Sequence, residues 1–214
     1  MTPSAVEEAA RQRYNAVNET FWSQDEIFTL EYLASQEMAL ETKCIERTYT
    51  TTTVASTQEY AYPTNVISIK RVTYNGAKLA PIDLRRMDSL TLNTSSTTVT
   101  GTPDYYAEWN GTLILFPTPD AAQTLKVYSF NEPQVITVSS TLEIPTAFHG
   151  RLVNYILSEM YAKDKDFPSA KYYKDLWLKD IQEVKRWIAR RRRGDSFATV
   201  VDESSLQNTI LGFR

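Results

Sequence analysis

The chain has 214 residues, 42% of them hydrophobic and 23% charged, with one cysteine (Cys44) and one histidine (His149). A lone cysteine excludes an internal disulfide and a cysteine-built zinc site, and a lone histidine removes most His-dependent chemistry. The net charge of −3 is uneven: residues 1–142 carry ten Lys/Arg against sixteen Asp/Glu, and residues 143–214 thirteen against ten, which points to two surfaces with different partners or to one solvated basic helix.

The six glycines form neither a GxGxxG nor a GxxxxGK pattern, so neither common phosphate-cradling loop is expected. No apolar run is long enough for a transmembrane helix, and no signal-peptide pattern opens the sequence.

The first forty-odd residues read as two helices. Ser4 is placed to cap a helix from Ala5 to about Asn18, with Glu7 and Glu8 in its first turn. Ser23-Gln24-Asp25-Glu26 has the form of a capping box, after which Ile27, Leu30, Ala34 and Met38 recur at helical spacing until about Thr42. Trp22, just before the cap, is positioned as a staple.

The texture then changes. Seven of the ten residues Thr48–Thr57 and nine of the fourteen Ser89–Thr102 are Ser or Thr, and seven of the nine prolines fall between Pro63 and Pro145. β-Branched and aromatic residues alternate with polar ones, as in half-buried strands. Asn75-Gly76 separates Val66–Tyr74 from Ala77–Ile82, and Asn110-Gly111 separates Tyr105–Trp109 from Thr112–Phe116. Both pairs tolerate the positive φ of a type I′ turn, so two hairpins are expected. Leu125–Asn131 reads as a further strand, Leu84–Leu90 as a short helix and Asn93–Gly101 as a loop.

Helix returns after Pro145. Phe148, Leu152, Tyr155, Ile156 and Met160 line one face of a helix from about Thr146 to Lys163. A turn at Asp164-Lys165-Asp166 leads to a helix opening near Pro168, with Tyr173, Trp177, Ile181, Val184 and Ile188 as its stripe. It runs to about Arg193, roughly 26 residues or about 39 Å, and Gly194 supplies a stop. The remainder, residues 195–214, carries Phe197, Val200, Val201, Leu206, Ile210, Leu211 and Phe213 at intervals. Such anchors suit a tail that docks on another chain; a frayed terminus is the alternative.

The expected class is α+β: a helical bundle from residues 1–43 and 143–193, a large antiparallel β-sandwich-like insertion over 44–142, and an extended tail over 194–214. Catalytic readings are poorly supported. His149 lacks a GxSxG partner and reads as structural, and Cys44 reads as a buried inert thiol. Glu108 and Glu159 are the only carboxylates singled out for acid–base work, because each neighbours a bulky apolar residue. Arg190, Arg191, Arg192 and Arg193 point all around their helix; phosphate, an acidic protein surface and the helix dipole are each possible partners. Trp187 lies one residue off the stripe, which suggests packing on a neighbour. Tyr105 and Trp109 share a strand face, where burial beneath the hairpin is favoured over stacking on sugar.

The segments Glu59–Ile67, Arg71–Gly76, Tyr105–Gly111 and Leu113–Asp120, then Ile144-Pro145 opening a long helical pair with a late tryptophan, resemble in order the head-to-tail adaptor proteins of tailed bacteriophages. The resemblance is to the tail tubular protein A family of short-tailed phages in particular, and covers about Ser4 to Arg193. It implies a structural virion protein without catalysis or cofactor. Such a protein forms a homo-oligomeric ring, usually of twelve subunits, beneath the portal protein, extends the DNA channel and offers a platform to the downstream tail or nozzle protein. Carried over, Phe197, Val200, Val201, Leu206, Ile210, Leu211 and Phe213 would bind the portal. Arg190–Arg193 would lie near the portal contact or the channel, where non-specific contact with packaged DNA is expected; no membrane partner is. The alternatives are a head-completion or connector protein of a long-tailed phage, a phage cell-wall hydrolase using Glu108 or Glu159, and a carbohydrate-binding module using Trp109 with Tyr105 and Tyr106.

Overall fold

The computed structural model describes residues 1–15, 21–92 and 99–192. Helix α1 spans Pro3–Tyr14 and α2 spans Gln24–Thr42. The cap of α1 is Thr2, whose hydroxyl accepts from the Ala5 amide at 3.3 Å, and not Ser4. Pro3, lacking an amide hydrogen, suits the first helical position, so the helix starts two residues earlier than expected and neither Glu7 nor Glu8 lies in its first turn. Asn15 ends α1 in the left-handed region (φ 62°), earlier than the expected Asn18. Ser23 caps α2 by accepting from the Glu26 amide at 3.2 Å; the Glu26 carboxylate pairs with Lys163.

The C-terminal helices follow a six-residue 3₁₀ turn, Thr146–Arg151, which replaces the α-helical start expected there. They are α4 (Leu152–Lys163) and α5 (Phe167–Arg192), the latter 26 residues long; α3, Leu84–Leu92, lies between them and α2 in the chain. The expected stripes meet. Ile27, Ala34 and Met38 of α2, Leu152, Ile156, Leu157 and Met160 of α4, and Trp177, Ile181, Val184 and Ile188 of α5 share one buried cluster with Val6 and Ala10 of α1. Trp22 is buried in the same cluster.

Ion pairs line this bundle. Glu26–Lys163, Glu37–Lys174 at 3.4 Å and Glu41–Lys185 at 2.6 Å join α2 to α4 and α5. Part of the charge asymmetry read as two outward surfaces is therefore neutralised inside the molecule. Half-exposed pairs of this kind contribute about 0–1 kcal/mol each, so they set register while the apolar contact supplies the stability.

Between the helical segments lie two four-stranded sheets. The first has the order β1 (Glu46–Thr52), β10 (Thr124–Asn131), β3 (Val66–Tyr74), β4 (Ala77–Lys78), all antiparallel. The second has the order β2 (Glu59–Ala61), β8 (Thr112–Phe116), β7 (Tyr105–Trp109), β5 (Ala80–Pro81). A small parallel pair, β6 (Thr100–Gly101) with β9 (Thr118–Pro119), completes the strands described. Both Asn-Gly turns form as expected, with φ of 47° and 83° at Asn75-Gly76 and 46° and 74° at Asn110-Gly111. The second arm of the first hairpin is not one strand from Ala77 to Ile82. Ala77–Lys78 pairs with β3; the chain then passes through buried Leu79 to the second sheet, where Ala80–Pro81 runs parallel to Tyr105–Tyr106. Val72, Tyr74, Leu125 and Val127 of one sheet face Tyr106, Leu113 and Leu115 of the other, a sandwich core separate from the bundle. Met87 of α3 covers Ala107 and Phe116 on the far side of the second sheet.

Glu31 of α2 sits on the apolar stripe, fully buried, with neither carboxylate oxygen hydrogen-bonded. Burial, then the nearby Glu7 charge, pushes its carboxyl up to about 8. A folded-state value above the unfolded one means the stabilisation is complete below pH 4.5 and is lost as pH rises through about 8. Relative to Glu31→Gln, the wild-type chain is expected to lose stability above pH 5 with a slope approaching about 1.4 kcal/mol per pH unit. Chemical denaturation from pH 5 to pH 8 checks this, and parallel curves for the two chains would contradict it.

Candidate interaction surfaces

The basic end of α5 lies at the junction of bundle and sandwich. Arg192 donates to the carbonyl of Lys43, the residue that caps the C-terminus of α2, at 2.6 Å, pairs with Glu46 of β1 at 3.2 Å and stacks 4.4 Å over Phe130 of β10. Beside it, Arg47 pairs with Glu143, whose second oxygen accepts from the Gln134 amide at 2.9 Å. These contacts clasp the first sheet to the helices. Arg191 stands 5.4 Å over the Trp187 ring, and Arg190 is exposed. The run read from sequence as one cationic feature is thus divided: Arg192 is structural, and Arg190 and Arg191 face outward. Arg193 lies outside the described residues, as do Gly194, Phe197, Val200, Val201, Leu206, Ile210, Leu211 and Phe213.

Two grooves flank this helix end. One, of about 700 Å³, is lined by residues that include Cys44, Glu46, Lys70, Glu143, Trp187 and Arg191. The other, of about 400 Å³, is lined by Phe148, Arg151, Glu183, Arg186, Trp187 and Arg190. Trp187 forms the ridge between them, 36% exposed and edge-to-face with Phe148 at 5.3 Å. As its place off the stripe suggested, Trp187 stands outside the bundle's core cluster: its ring meets Phe148 edge-to-face, with Arg191 beside it. A half-seated tryptophan among arginines has the composition of an interface anchor. Arg151 is held by Asp180 and by Glu183 at 2.7 Å.

The residues considered for catalysis are not brought together. Glu108 is exposed on β7 and Glu159 half-buried on α4, one in the sandwich and one in the bundle. Desolvation raises the Glu108 carboxyl, and the titratable groups that feel its charge are the Tyr62 and Tyr106 hydroxyls. His149 is buried, its Nε2 2.8 Å from the Ile144 carbonyl and its Nδ1 3.1 Å from the N-terminal ammonium. Cys44 is half-buried, its thiol pushed up by burial. No metal-holding cluster of His, Cys, Asp and Glu occurs among the described residues. At the Asn110-Gly111 tip, Trp109 is 65% exposed, so the expectation of burial beneath the hairpin is corrected; Tyr105 is half-buried and Tyr106 lies in the sandwich core. A tip tryptophan has only the two turn residues beyond it, too few to cover an indole.

The described structure is thus an α+β protein, a helical bundle carrying a clasped β-sandwich, with Trp187 and Trp109 on outward surfaces. The chain belongs to the SU10 adaptor protein family, which matches residues 1–201. It is accordingly a structural adaptor of the phage head-to-tail junction, a component of the virion. No curated protein matches the chain. Among the described residues, no helix is long and apolar enough to cross a membrane.

The clasp makes Arg192 and Arg190 separable. Arg192→Ala is expected to destabilise the chain by about 1–2 kcal/mol through the lost cap on Lys43 and ion pair on Glu46, while Arg190→Ala stays within about 0.5 kcal/mol. Urea titration checks both, and equal losses would contradict the division.

Proposed function

We propose that the chain works as a ring-forming adaptor beneath the portal: about twelve copies close side by side, extend the DNA channel and present a platform to the downstream tail protein. The observation that carries this reading is the family match over residues 1–201 on a fold that joins a helical body to a β-sandwich with its own core. A ring repeats one heterologous contact that closes by rotation, and a body with different surfaces at its two ends suits that role. The large sandwich favours an adaptor like the tail tubular protein A family over a head-completion or connector protein of a long-tailed phage. No catalysis is assigned, since Glu108 and Glu159 stand in different parts of the molecule.

In this reading the bundle and residues 194–214 engage the portal, with Phe197, Val200, Val201, Leu206, Ile210, Leu211 and Phe213 as apolar anchors. Arg190 and Arg191 lie close to that contact, because α5 leads directly into the tail. The sandwich, with Trp109 exposed at its tip, faces the tail protein. Co-sedimentation of the purified chain with assembled portal tests the assignment. A chain ending at Gly194 is expected to bind at least about tenfold more weakly, since its share of the contact is gone. Equal binding would remove the tail from the contact, and no binding by the full chain would contradict the adaptor–portal assignment.

A further inference from the structure

The threonine run that dominates the sequence after residue 47 is not used by the contacts described so far. The Asn131 amide donates to the Ile45 carbonyl at 3.0 Å and the Thr53 amide to Gln123 at 2.8 Å. Odd-numbered residues of β1 are therefore the ones bonded to β10, and by the antiparallel alternation the amides of Thr48, Thr50 and Thr52 point to the open edge. Their side chains lie on the outer face of the sheet, opposite Tyr49, which packs on the sandwich core.

The register continues this face across the strands. Thr50 opposes Lys126, which opposes Thr73, which opposes Lys78; Thr48 opposes Tyr128, which opposes Arg71; Thr52 opposes Thr124. Directly opposed residues share a face, so these three rows form one grid of hydroxyls and cations without a carboxylate. The neighbouring acid, Glu46, is already engaged by Arg192 and, at 4.0 Å, by Lys70. Arg71, Lys78 and Lys126 make no ion pair among the described residues, and all three line a groove of about 400 Å³ with Thr73, Thr124 and the Gly76 turn. The Arg71 guanidinium stands 4.1 Å from the Tyr128 ring centre, which holds its charge in place over the groove.

We propose that this outer face binds the phosphodiester backbone of double-stranded DNA without reading sequence. Arg, Lys, Thr hydroxyls and free backbone amides are the donors that phosphate contacts use, and a regularly spaced grid of them fits a repeating anion. An acidic protein surface is the less suited partner, because a protein contact needs a buried apolar anchor at its centre and the groove offers only a tyrosine already covered by Arg71. The inference goes beyond the adaptor assignment: a chain that joined head to tail without this affinity would remain an adaptor.

Fluorescence anisotropy of the free, full-length chain with a mixed-sequence duplex, from 50 to 200 mM salt, tests it. A variant with Arg71→Ala, Lys78→Ala and Lys126→Ala is expected to bind at least about tenfold more weakly at 50 mM salt, with the salt slope reduced by about three. An Arg190→Ala/Arg191→Ala variant is expected to keep the wild-type affinity, and melting curves confirm that both variants fold. Wild-type chain that fails to bind duplex at 50 mM salt, affinity lost only in the Arg190/Arg191 variant, or equal competition by polyglutamate of matched charge would overturn the proposal. The last of these outcomes would assign the face to an acidic protein.

Discussion

The architecture depends on one constraint: helices separated by about a hundred residues of β structure have no other place to bury their apolar stripes than against each other. Met38 and Ile27 of α2 reach zero exposure only because Ile156, Met160, Trp177 and Val184 arrive from the far end of the chain. Burying side chains of this size contributes roughly 1.5–3 kcal/mol each, well beyond what the ion pairs along the same seam supply. Once the bundle closes, both ends of the β segment are fixed on it, and the sandwich has to project as a lobe. The Arg192 contacts with Lys43, Glu46 and Phe130, with the Arg47–Glu143 pair, then set how that lobe leans.

Such a molecule presents distinct surfaces on one connected body. The Trp187 ridge with Arg190 and Arg191 belongs to the helical end, the Trp109 tip to the sandwich, and the threonine and cation grid to the outer sheet. For an adaptor of the head-to-tail junction this separation matters physically. Each contact can be made or lost without unfolding another, because the bundle and the sandwich have separate cores.

Much of this was legible in the residues. The stripes of α2 and α5 and both Asn-Gly turns are local signals: period 3.6 and a tolerated positive φ need no knowledge of the rest of the fold. The departures arise where a non-local contact outweighs the local pattern. Ala77–Ile82 reads as one strand by alternation, but Leu79 is drawn into the core between the sheets and the chain changes sheet there. Arg190, Arg191 and Arg192 are equivalent as letters and different in space, because among the described residues only Arg192 of the run meets the end of α2. Glu31 carried a readable sign, a carboxylate four residues after Ile27 and three before Ala34 on an apolar face, that went unused. The pairing of Thr48, Thr50 and Thr52 with Tyr128, Lys126 and Thr124 had no local signal at all, since strand partners in a sheet are set by distant sequence.

This protein is a structural piece of the junction between phage head and tail. Cryo-electron microscopy of the phage particle measures that directly. The helical bundle and projecting sandwich are expected to fit density at the junction, repeated around the channel axis as a closed ring. Density that accommodates the fold only elsewhere in the particle, or a particle that lacks the chain, would contradict it.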